Sequence, residues 1–206
     1  MTGDDGRARV DPRVLRTRRL LQDALLALAR ERAFTEITVA DVTDRATVNR
    51  STFYQHYPDT DTLLADALDM QATQYGMESD PVTPDAPADQ PPPALVRYAG
   101  LLAKNAELYR DALGTHGSMV AVSRLHERFR GLALESMRAQ GTVPTQADIP
   151  LDVFAAGVSG MVMAVFGAWL EMDPLPPPED AARWAWSQVT GRTMPVPVDH
   201  THDAYG

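Results

Sequence analysis

No cysteine occurs in the 206 residues of this chain, which excludes a disulfide framework, a thiolate metal site and a cysteine nucleophile. A reducing, cytoplasmic setting is the expectation. The opening run Met1-Thr2-Gly3-Asp4-Asp5-Gly6-Arg7 has no apolar core, so no signal peptide is read there. Alternating apolar and polar runs are missing, and the fold class read from periodicity is all-α. Also missing are H-E-x-x-H, G-x-S-x-G and any Gly-rich phosphate loop. His116, His126 with Glu127, and Glu135 are the polar groups to weigh for catalysis. His126 and Glu127 are neighbours in sequence and share no helical face. A solvated helix surface accounts for them better than an active site. No enzyme, cofactor or metal is expected.

Positive charge is scarce overall, with a formal net charge of −9, but it is unevenly placed. Residues 1–57 carry ten basic and eight acidic groups, whereas residues 58–206 carry nine and twenty. Only the N-terminal part is suited to approach a phosphate backbone, because local charge sets that affinity and distant acids are screened over about 10 Å.

What is present is organised around residues 38–57. Thr38 followed by Asp41 has the form of a capping box, and Val39, Val42 and Ala46 fall on one helical face. Thr47-Val48-Asn49 breaks the pattern, and Asn49 is placed to cap a second helix. In that helix Phe53 and Tyr57, with Val48 before it, face inward. Arg50, Ser51, Thr52, Tyr54, Gln55 and His56 point outward. Helix, tight turn and polar-faced helix make a helix-turn-helix unit, whose second helix enters the major groove of DNA.

The run Thr52-Phe53-Tyr54-Gln55-His56-Tyr57-Pro58 with Leu63-Leu64, preceded by Arg18-Arg19-Leu20-Leu21-Gln22-Asp23-Ala24 and Phe34-Thr35-Glu36-Ile37-Thr38-Val39, resembles the signature of the TetR family of bacterial transcriptional regulators. The resemblance covers roughly residues 13–70. It implies a three-helix helix-turn-helix domain followed by a larger helical domain for ligand binding and dimerisation. The division expected is a basic arm at 1–12, the helix-turn-helix domain at 13–57, a connecting helix at 58–75, a Pro-rich acidic loop at 76–93, the effector and dimerisation domain at 94–192, and a tail at 193–206. For the arm, a solvated tail and a minor-groove contact both stay open.

The resemblance also implies roles. Arg50, Ser51, Thr52, Tyr54 and Gln55 would reach bases or groove, while Thr38, Asn49, Tyr54 and His56 would touch phosphates. Three departures stand out. Thr47 replaces the usual turn Gly, which predicts a changed turn, since a β-branched residue is costly at positive φ. Thr60, flanked by Asp59 and Asp61, replaces a common phosphate-binding Lys, and Ala33 replaces a Gly at the end of the first helix. Together they predict weaker or more selective binding.

Further along, helices are expected at about 94–113, 118–140 (stopped by Gly141), 151–171 and 178–190. From Val153 to Leu170 no residue is charged, long enough to touch the lower limit for a membrane span. Gly157, Gly160, Ala164 and Gly167 recur there at helical spacing without flanking basic residues, and an interface is read instead of a bilayer. By the resemblance, the last two helices would form a homodimer, with Phe166, Trp169, Trp184 and Trp186 as anchors. Core packing is the other reading of those rings. A small apolar effector would lie among Tyr98, Tyr109, His116, Met119, His126, Phe129, Met161, Met163 and Phe166, unless these are ordinary core residues. The function expected is a ligand-responsive repressor that binds a palindromic DNA operator. The alternative is a TetR-like protein-interaction module with weak or no DNA binding.

Overall fold

The computed structural model describes residues 11–76, 90–114, 117–140 and 149–191. Residues 1–10 of the arm, residues 77–89 of the loop, His116, Gly141 and the tail from 192 lie outside them. Among the described residues there are nine α-helices, a 3-10 turn and no strand.

Helix α1 (Pro12–Leu28) begins where Asp11 accepts a hydrogen bond from the Arg13 N–H at 2.9 Å, with proline in the first turn, where its missing donor costs nothing. It buries Leu21, Ala24, Leu25 and Leu28. It ends at Leu28, and Glu31 and Arg32 continue as hydrogen-bonded turns onto the Leu28 carbonyl. A 3-10 turn (Phe34–Glu36) follows. Ala33 precedes it at φ −57°, so glycine is not needed there. Next come α2 (Val39–Ala46), α3 (Arg50–His56) and α4 (Thr60–Gln74). Asp59 caps α4 by accepting from the Thr62 N–H at 2.7 Å. This acid therefore has a structural use next to α3.

The stretch expected as one helix over 94–113 is two, α5 (Pro93–Lys104) and α6 (Ala106–Leu113). Asn105 sits between them at φ −127°, and its side-chain amide donates to the Leu101 carbonyl at 3.0 Å. That local bond competes with helix continuation. Ser118 caps α7 (Met119–Gln140) by accepting from the Ala121 N–H at 3.2 Å. Helices α8 (Leu151–Leu170) and α9 (Pro178–Thr190) complete the chain's described part.

The expected connecting helix is a full member of the core. Leu63, Leu64, Ala67 and Leu68 of α4 are completely buried. It packs on both α1 and α7. One continuous apolar core thus runs from Leu21, Leu25, Val42 and Phe53 through α4 to Tyr98, Tyr109, Phe166 and Trp169. Each such side chain contributes about 1.5–3 kcal/mol on burial. Around the far end α7 packs on α8, α8 on α9, and α9 on α5. The carbonyls left open at the C-terminus of α4 are closed by Arg97 of α5, which donates to Tyr75 O (3.1 Å) and Gly76 O (2.7 Å).

Candidate nucleic-acid interface

The capping box forms. The Asp41 N–H donates to the Thr38 hydroxyl at 3.3 Å and the Thr38 N–H to the Asp41 carboxylate at 2.8 Å. Hydrogen bonds from Thr38 and the neighbouring Arg32 guanidinium hold that carboxyl well below the usual carboxylate range. Thr47 closes α2 in the left-handed conformation, φ 55° and ψ 48°. The changed turn expected from losing glycine is not what happens: the turn keeps the geometry glycine would favour, with threonine bearing the strain. Its N–H and that of Val48 bond back to Asp44 and Thr43 carbonyls at 3.2 and 3.0 Å, so the strain is offset locally.

Asn49 occupies the N-cap of α3, yet its side chain makes no capping bond. The expected cap is absent, and the side chain is exposed and uncommitted. On α3, Arg50, Ser51, Tyr54 and Gln55 are exposed, Thr52 and His56 are half-buried, and Phe53 is fully buried. Thr38 is exposed beside them at the start of α2. Tyr54 is 54% exposed while its ring stands edge-on to Phe53, centroids 5.4 Å apart, which braces it without covering it.

Charge around this face is sorted by partner. Arg45 forms a two-pronged pair with Glu31 at 2.9 and 2.7 Å, Arg32 pairs with Asp41 at 2.9 Å, and Arg18 with Asp66 at 2.9 Å. Those three cations are spent inside the domain. Arg13, Arg16, Arg19 and Arg50 are exposed and have no ion-pair partner among the described residues. The commitment of Arg18 to Asp66 shows only once α4 is placed against α1.

The remaining candidates divide. Tyr98, Tyr109, Phe129 and Phe166 are buried and in mutual ring contact, with Tyr98 centroids 5.2, 5.8 and 6.5 Å from Phe129, Phe166 and Tyr109. Burial keeps the Tyr98 and Tyr109 phenols protonated far above their ordinary range. Met163 is half-buried against the same core. Met119, 73% exposed, and Met161, on the outer side of α8, do not face that aromatic interior. His126 is tied to α8: Ser159 Oγ lies 3.0 Å from its Nδ1 and donates to its backbone carbonyl at 2.8 Å. Two open grooves flank α6. One, of about 510 Å³, runs along residues 29–33 beside Glu107, Arg110 and Asp111; the other, of about 490 Å³, has Tyr109, Gly167 and Leu170 in its wall.

Trp169, expected as a dimer anchor, is a core residue. It is 1% exposed and its indole N–H donates to Pro176 O at 3.0 Å. Phe166 is likewise internal. Gly157 and Ala164 are exposed, Gly160 and Gly167 half-buried, and Trp184 and Trp186 half-buried on α9. A Cβ added at Gly157 or Gly167 would meet nothing within 4 Å. Helix α8 is long and apolar enough to cross a membrane by length and composition alone, but one side of it is buried against α7 and α9.

Residues 21–67 match the profile of the bacterial regulatory proteins, tetR family. Over 56 residues the chain is 43% identical to YxbF of Bacillus subtilis (strain 168), an uncharacterized HTH-type transcriptional regulator; the match takes in 27% of this chain and 15% of that relative. Over the whole fold, a TetR transcriptional regulator from Streptococcus agalactiae 2603V superposes with a TM-score of 0.57 at 22% identity, across 87% of this chain and 96% of that one. FadR of Thermus thermophilus, a TetR-family transcriptional repressor seen in complex with lauroyl-CoA, gives 0.57 at 18%, across 87% and 98%. At such identities the two structures establish the fold, and the profile establishes the N-terminal domain. Residues 21–67 thus form a helix-turn-helix domain of the kind found in the bacterial regulatory proteins, tetR family, set in an all-helical fold shared with TetR transcriptional regulators.

Proposed function

We propose that the protein is a homodimeric, ligand-responsive transcriptional repressor of the cytoplasm that reads a palindromic DNA operator with α3. The observation that carries this reading is the outer face of α3: Arg50, Ser51, Tyr54 and Gln55 stand exposed on a helix anchored from behind by buried Phe53 and Tyr57. Arg50 can pair in two-pronged fashion with guanine O6/N7, and Gln55 with adenine N6/N7. Thr38, Asn49, Thr52 and His56, with the exposed Arg13, Arg16 and Arg19, would position the domain on phosphates.

Dimerisation is supported by the outer side of α8, where Val153, Gly157, Met161 and Ala164 form an exposed apolar strip. On α9 the half-buried Trp184 and Trp186 leave part of their rings uncovered for a second copy to pack against. A two-fold pair would set the two recognition helices about 34–36 Å apart, or a further turn along the same face. An apolar effector would enter the aromatic interior around Tyr98, Phe129 and Phe166. FadR with its bound acyl-CoA is a precedent on the same fold.

Selection of bound duplexes from a random pool tests the reading, run in parallel on an Arg50→Ala/Tyr54→Ala protein. An enriched near-palindrome that the double variant loses supports it. A folded wild-type dimer that enriches nothing at low salt favours the interaction-module alternative, in which Asp59 and Asp61 repel the backbone.

A further inference from the structure

We infer that the polar cluster of Arg18, Gln22, Tyr57 and Asp66 sets the orientation of the recognition helix, and that Asp66 is a positioning residue for base reading. The inference rests on the DNA-binding reading above. Helix α3 is only seven residues long and has no side-chain N-cap bond. A helix that short does not hold itself in water, so its direction is imposed from outside. Its own buried side chain is Phe53. One apolar pivot resists translation but resists rolling poorly, because apolar contact has no preferred direction.

The second fixed point lies at the helix end. Tyr57, 2% exposed, turns the chain out of α3, and its hydroxyl donates to Asp66 Oδ2. The same carboxylate oxygen receives Arg18 Nη2 at 2.9 Å and Gln22 Nε2 at 2.6 Å. Arg18 Nε also donates to the Tyr57 hydroxyl at 3.1 Å, with its guanidinium 5.4 Å from the ring centre. Three donors from α1 and the end of α3 thus converge on one oxygen of α4. Charge-assisted bonds of this kind are short and directional, which is the property the apolar pivot lacks. Burial, then the hydrogen bond to Asp66, raises the Tyr57 phenol to about 12, so it stays a donor under all ordinary conditions. Tyr54 and Gln55 lie within three residues of this joint, and a roll of α3 would displace them from base edges while leaving nearby cations close to phosphate. Specific binding is the quantity that must suffer.

The test compares wild type, Asp66→Ala, Tyr57→Phe and the double variant on the duplex recovered by selection and on a scrambled duplex of equal length, over several salt concentrations, with a thermal melt of each protein. Tyr57→Phe keeps the packed ring and guards against loss of fold in Asp66→Ala. The preference for the selected duplex should drop about 30-fold in Asp66→Ala and about fivefold in Tyr57→Phe, with no further drop in the double variant, since one network is removed. Scrambled-duplex affinity and its salt dependence should stay within about twofold. An unchanged preference in folded variants overturns the inference. So does a parallel fall of both affinities with melting temperature, which is what a purely stabilising cluster would give. Absence of any preference in wild type removes the DNA-binding reading itself, before a substitution is made, and the inference with it.

Discussion

The two ends of this molecule are built on opposite economies of polarity. Residues 11–76 place their polar side chains in defined pairs: Thr38 with Asp41, Arg45 with Glu31, Arg18 with Asp66. The region from α5 to α9 is a stack of apolar faces, with Tyr98, Tyr109, Phe129, Phe166 and Trp169 inside and Gly157, Met161 and Ala164 outside. In the first region hydrogen bonds dictate one arrangement of short helices. In the second, packing dictates helices whose surfaces could serve a core, a ligand or a partner equally well. On the proposed function, specific contacts would belong to the head, and shape change and association to the body.

The sharpest way to break that comparison is to damage each side in its own currency. Trp169→Ala should destabilise the body by about 3–5 kcal/mol, because a fully buried ring leaves a cavity its neighbours cannot fill. Arg50→Ala with Tyr54→Ala should leave stability within about 0.5 kcal/mol and weaken the selected duplex by roughly 100-fold, as two exposed reading groups are lost. Urea unfolding and fluorescence-anisotropy titration check the pair. Loss of stability in the double variant, or an intact fold in Trp169→Ala at wild-type midpoint, would blur the division. Met161→Glu is the next probe: like charges facing across a two-fold axis should turn a dimer into monomer at micromolar concentration, read by sedimentation.

Much of the head was legible in sequence because its signals are local. A hydroxyl three residues before a carboxylate, a polar run over Phe53 and Tyr57 and a proline after them each state a geometry within four residues. What escaped were outcomes decided at a distance. Asn49 was read as a cap and caps nothing; Arg18, legible only as part of a motif, is held by Asp66, 48 residues on. In the body, helices were visible and the break at Asn105 was missed, because an internal asparagine is tolerated or not according to its neighbours. Trp169 and Trp186 carry the same side chain on adjacent helices, yet one is fully buried and the other only half-buried. Helical periodicity identifies a face, but which neighbour covers it is tertiary information.

Thr47 gives a smaller test of the same contrast. It is the single non-glycine residue at positive φ among the described residues, and left-handed backbone costs a β-branched residue on the order of 1–2 kcal/mol. Thr47→Gly relieves that strain but enlarges the freedom of the unfolded chain. The net gain should be about 0.5–1 kcal/mol, visible as a later unfolding midpoint for the head. All three tryptophans lie in α8 and α9, so tryptophan fluorescence reports the body while tyrosine signal and circular dichroism report both.

The smallest expected effect is the most diagnostic of how the head is held. The Asp41 carboxyl is lowered chiefly by the Thr38 hydroxyl, then by Arg32, and Glu31 is lowered by Arg45. A carboxyl whose folded pKa lies below its unfolded value binds fewer protons in the native state, so its contribution is complete above about pH 4 and fades as pH falls through and below that range. The body has its own lowered carboxyl, Glu127 beside Arg130, on the exposed side of α7 and remote from any cap. Acid should therefore loosen the head before the body: circular dichroism and tyrosine fluorescence should begin to change at a higher pH than the tryptophan signal. Asp41→Asn, which keeps an acceptor for the Thr38 N–H but cannot titrate, should flatten the acid limb of the head's transition and leave the tryptophan transition in place. Coincident transitions in wild type would mean that α4 couples the two regions too tightly for either to yield alone, and the contrast drawn from polarity would then describe surfaces only, with one cooperative unit beneath them.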